Sequence, residues 1–162
     1  MTIARWKNVT AAAALGVTVA LGACAEGDPA PVEVEGVIAG LEITNARLVL
    51  PPVAGNPAAV YFDATYNGPN GISITGAAVE GAASATVHAM MEYDFEMTMA
   101  EAGPVAIRNG ETLTFAPGEL HVMAFELAEG VDADGTVEVT LETMGGDKHK
   151  FSAEVRAAGE ER

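Results

Sequence analysis

Residues 88–123 read HAMMEYDFEMTMAEAGPVAIRNGETLTFAPGELHVM, and the punctuation of this stretch decides the fold. Short runs suited to strands, 85–93, 95–99, 112–116 and 120–127, are cut off by the breaks AEAGP, RNG and APG. None is long enough to carry the apolar stripe of a capped helix, whereas β-rich runs divided by Gly, Pro and Asn are the mark of strands. The rhythm continues outward in both directions. LEITNARLVL at 41–50 is stopped by Pro51-Pro52, and AAVYFDATYN at 58–67 by GPNG; 72–79, 136–143 and 148–155 follow suit. The expected class is all-β, an antiparallel sandwich or barrel, and roughly 120 residues are enough to bury one core between two sheets.

The N-terminal end reads differently. Arg5 and Lys7 precede an apolar run at 11–21, which ends in Leu21-Gly22-Ala23-Cys24. A charged start, a short hydrophobic middle and small residues before a cut make a secretory signal, too short to span a bilayer. The lone cysteine at that cut has the look of a bacterial lipobox. Residues 1–23 are therefore expected to be a lipoprotein signal peptide and Cys24 the acylated first mature residue. AEGDPAPVEVEGV at 25–37 lacks any period and is rich in Pro, Gly and acid, so 24–38 is expected to be a flexible acidic linker. One β-sandwich domain is expected over 39–157, with a frayed tail at 158–162. The protein is then periplasmic and tethered to a bacterial membrane through its N-terminal lipid.

Charge and sulfur narrow the chemistry. The chain has 8 basic and 23 acidic residues, and removing residues 1–23, which hold Arg5, Lys7 and no acid, takes the net charge from −15 to −17. A polyanion would be repelled, so nucleic acid is excluded as a partner. With Cys24 given to lipid, the domain has no thiolate and no disulfide. Two of the three histidines and five of the seven methionines lie in 88–123. Alternation along a strand puts His121 with Met123, Met97 with Met99, and His88 with Met90 on shared faces, and turns Val122 and Ala124 the other way. Imidazole and thioether together suit Cu(I), and neutral ligands permit release; a blue-copper carrier would need a cysteine thiolate. Singly, Met90, Met91, Met97 and Met144 are expected to fill the core. His149, in GGDKHKF, is expected to be exposed, and Glu92, Asp94 and Glu96 to be a solvated edge.

His88, ten residues, Met99, twenty-one residues, His121, one residue, Met123 resembles the H-x10-M-x21-H-x-M signature of the periplasmic copper chaperone family PCu(A)C. GPVAI at 103–107, APGELHVMAFEL at 116–127 and AAVYFDATYNG at 58–68 carry the likeness across 40–156. The resemblance implies a cupredoxin-like, immunoglobulin-like β-sandwich in which His88, Met99, His121 and Met123 bind one Cu(I). It selects Met99 over Met97, which shares its face. It further implies a non-enzymatic carrier that hands copper to an acceptor protein, such as the CuA centre of cytochrome c oxidase subunit II or another copper chaperone. Where relatives have HEM this chain has HAMM, and its C-terminal KFSAEVRAAGEER lacks a His- and Met-rich extension, so a single site is expected. Three other readings fit less: copper sequestration for resistance, a metal-free sandwich interaction module, and a copper-dependent reductase of a dithiol centre.

Overall fold

Residues 36–160 are described by the structure, a computed structural model; the expected signal peptide, Cys24 and most of the expected linker lie outside them. Ten strands follow one another without a helix among the described residues. They are β1 (Leu41–Val49), β2 (Ala58–Tyr66), β3 (Ile72–Val79), β4 (Ala82–Tyr93), β5 (Glu96–Glu101), β6 (Val105–Ile107), β7 (Glu111–Phe115), β8 (His121–Leu127), β9 (Thr136–Thr143) and β10 (Lys148–Arg156). The all-β expectation holds. The sequence reading missed β6, because three residues beside Gly103-Pro104 cannot show a period; yet Ile107 is fully buried. Phe95, expected to open a strand, sits in the turn between β4 and β5.

The sheet runs β5-β4-β8-β2-β1-β10-β9-β3-β6, and a further pairing of β3 with β4 at Ala77 and Ala85 closes it into a barrel-like sandwich. All pairs are antiparallel except β1 with β10. Closure removes most edges that could template aggregation. β2 shows how the sequence does this: Ala58, Val60, Phe62, Ala64 and Tyr66 are buried while the residues between them are half-exposed. The inner row joins Leu48, Ile74, Phe115, Val122, Val139 and Leu141 in one core. Phe62 stacks on Phe115 with centroids 4.1 Å apart and meets Phe151 at 5.1 Å. Tyr66 is held over Gly68, where any side chain would collide with its ring and hydroxyl.

Two arrangements position the β8 face. β2 is shared between β8, along Ala58–Val60, and β7, along Phe62–Tyr66. The chain must turn sharply from β7 into β8, and Gly118, at φ +82°, supplies a conformation that L side chains rarely adopt. The other arrangement is at β4, which pairs with β8 only as far as His88 and with β5 from His88 to Tyr93. Beyond that point β4 and β5 pair only with each other among the described residues, as an arm projecting from the sheet.

Candidate metal centre

His88 is the residue where three strands meet: it is opposite His121 on β8 and opposite Glu101 on β5. Directly opposed residues in an antiparallel sheet project to one side, so both imidazoles stand on the same face, their centroids 6.0 Å apart. Val87 and Val122, one position along, form the adjacent pair and enter the core. Met123 follows His121 at i+2, half-buried on that face and opposite Thr86. Met99 comes from the arm, opposite Met90.

His121 is 7% exposed although it lies on the outer face. Tyr61, at 6.4 Å between ring centroids, flanks it. Its Nδ1–H donates to the Glu119 carbonyl at 2.9 Å; a carbonyl only accepts, so in the neutral ring the unprotonated nitrogen is Nε2. That Nε2 faces the sulfur of Met99 at 3.1 Å. With the ring neutral, two electron-pair donors are thus apposed with no proton between them. A soft cation resolves this arrangement, and the Glu119 carbonyl is the outer partner that orients such a histidine ligand.

His88 adds a third donor. Its Nδ1 is buried and has no hydrogen-bond partner, a condition that costs about 1–3 kcal/mol when nothing satisfies the group. Burial first, and the neighbouring His121 second, hold its pKa below the ordinary histidine value, while Glu101 opposes them. A neutral imidazole is the form a metal ion binds. Among the described residues no group of three or more His, Cys, Asp or Glu is placed to hold a metal, so a site on this face draws on thioether sulfur. The donor set fits Cu(I) rather than a hard ion.

The structure therefore brings His88, His121 and Met99 together and sets Met123 on the same face. It corrects the expectation for three other methionines: Met91 is 51% exposed, Met97 61% and Met144 68%, so none of them fills the core. Met91 and Met97 sit on the arm, which no other strand flanks among the described residues. His149 is corrected in the opposite sense. It is buried in β10, and its Nδ1 accepts the Ile38 N–H at 3.1 Å; the strand period carries it inward, which the polar GGDKHKF context had obscured. Glu92, Asp94 and Glu96 are exposed as expected. Sequence reasoning missed Glu101, which strand alternation from Met99 would have flagged, and the Glu119 carbonyl and Tyr61, for which no sequence signal exists.

The family whose sequence model matches residues 41–155 is described as "Putative lipoprotein LpqE-like". No curated protein sequence matches the chain. Among solved structures, the apo PCuAC domain from PmoF1 is similar at 22% identity and TM-score 0.62, covering 74% of this chain and 96% of that one. The copper-bound PCuAC domain from PmoF2 follows at 16% and 0.61, covering 75% and 96%. The Cu(I) form of DR1885 from Deinococcus radiodurans matches at 24% and 0.58, covering 78% and 84%. The fold is that of PCuAC domains.

Proposed function

The chain belongs to the LpqE-like lipoprotein family, and from that membership and the β4–β8 face we propose that it carries Cu(I) in the bacterial envelope and hands it on. The observation that carries this reading is the apposition of His121 Nε2 with Met99 sulfur at 3.1 Å, while the other ring nitrogen is engaged by the Glu119 carbonyl. His88 supplies a second imidazole, and Met123 a second thioether from the rung beside His121. That copper-bound and Cu(I) forms exist of domains with this fold supports the choice of ion.

The protein's part is to hold, not to react. Four neutral ligands leave the cargo's charge uncompensated, and thioethers bind weakly enough to be displaced one at a time. Met99, 46% exposed, is the first of the four ligands to let go; His121, buried and fixed by the Glu119 carbonyl, lets go last. We propose lipid attachment at Cys24, which would hold the domain at the membrane surface on its 24–38 linker, and the CuA centre of cytochrome c oxidase subunit II as the acceptor.

Anaerobic titration with Cu(I) against a chelator is expected to show one equivalent bound. Affinity should fall at least tenfold in Met99→Ala and further in the Met99→Ala/His121→Ala double variant, since each lost ligand removes more than about 1.4 kcal/mol. Wild-type affinity in the double variant would sink the site. Mixing the loaded protein with the apo CuA domain without oxygen, then removing one electron per dicopper centre with ferricyanide, should build the CuA absorption bands; copper retained by the carrier would instead favour sequestration.

A further inference from the structure

Met97 belongs to none of the four positions above, yet its placement is chemically pointed. It precedes Met99 by two residues on β5, and so projects from the same face, roughly 7 Å along the strand. It stands opposite Glu92 on β4, on an arm flanked by no other strand among the described residues. Exposure falls in order along this face: 61% at Met97, 46% at Met99 and 7% at His121. A thioether so open contributes little to the core, but with three rotatable bonds it can swing toward either neighbour. Glu92 is exposed too, and its carboxylate attracts a cation while binding soft Cu(I) weakly.

We propose that Met97 is an outer Cu(I) ligand, through which the ion passes between an external ligand and Met99. The inference rests on the reading of His88, Met99, His121 and Met123 as the carrying site. Each step is an exchange of one bond for another. A Cu–S bond to Met97 forms as a bond to the external ligand breaks; then a Cu–S bond to Met99 forms and that to Met97 breaks. Copper stays Cu(I) and the thioethers stay neutral, so neither an electron nor a proton moves. Release runs the same path in reverse.

The competing use of the arm is as an apolar patch for a protein partner, since Phe95 at its tip is 93% exposed. A small-molecule acceptor separates the two. The purified protein, loaded with one equivalent of Cu(I) without oxygen, is mixed with bathocuproine disulfonate and the transfer followed by stopped-flow absorbance. Met97→Leu keeps the apolar surface but removes the sulfur; it should slow transfer about tenfold and leave the equilibrium affinity unchanged. Phe95→Gly should transfer at the wild-type rate. The relay is overturned if Met97→Leu transfers at the wild-type rate, if Phe95→Gly slows transfer equally, or if Met97→Leu weakens equilibrium binding, which would make Met97 a ligand of the resting site. Failure of the underlying site would look different: Met99→Leu would then bind Cu(I) as tightly as the wild type.

Discussion

The Glu119 carbonyl holds the Nδ1 proton of His121, whereas the buried Nδ1 of His88, directly opposite on β4, has no hydrogen-bond partner, so the two imidazoles are presented in different ways: one oriented by the backbone, the other available. His149 is a third case, in which burial serves the fold. Its Nδ1 accepts from Ile38, which requires the neutral ring, and burial holds its pKa below the ordinary 6.5. The unfolded chain, with the ordinary value, binds more protons than the native one between the two pKa values. Stability from this group is therefore complete above about pH 6.5 and is lost as pH falls through that value toward the folded pKa. Urea melts across pH 7 to 5 should show wild-type stability falling more steeply than that of His149→Gln, which keeps an acceptor but cannot titrate. Equal slopes would mean that His149 takes up its proton as readily in the folded chain as in the unfolded one, and would rule out a buried neutral imidazole.

The β4–β5 arm is built against local preference at its tip. Asp94 and Phe95 have φ of 51° and 65°, the two positive values that a tight two-residue hairpin needs and that Asn-Gly or Asp-Gly normally supplies. An L residue in the left-handed region costs roughly 1–2 kcal/mol, and glycine's greater freedom in the unfolded chain offsets about 0.5–1 kcal/mol of any relief. Phe95→Gly should thus stabilise the protein by about 0.5–1 kcal/mol in urea unfolding, because an exposed ring has little burial to lose. A loss of stability would show that the ring packs against something. The break between strands was readable from the sequence at Asp94; the outward projection of both strands was not, because a strand's period says which residues share a face and nothing of whether that face is covered.

At the scale of the molecule, one closed sheet surrounds one core, and the acids lie outside it. The net charge of −15 suits a well-solvated surface and would attract cations toward the face bearing His88, Glu101 and Glu92. The proposed lipid at Cys24 belongs to this scale, since it determines where the domain works. Cys24→Ser, expressed in a bacterium, should shift the protein from the membrane to the soluble envelope fraction while the purified domain binds Cu(I) as before; a variant that stays with the membrane would rule out attachment there.

The amino-acid sequence alone determined the all-β class and nearly every strand, because β-rich runs and Gly, Pro and Asn breaks act locally along the chain. Alternation paired His121 with Met123 and turned Val122 and Ala124 toward the core. Tertiary structure decided the rest. Which methionines are covered depends on what packs over them, so Met97 and Met91 emerged as exposed and His149 as buried only once strand order was known. The meeting of Met99 with His121 likewise depends on β4 pairing with β8 on one side and β5 on the other. Spacing counts residues along the chain; donors converge across it.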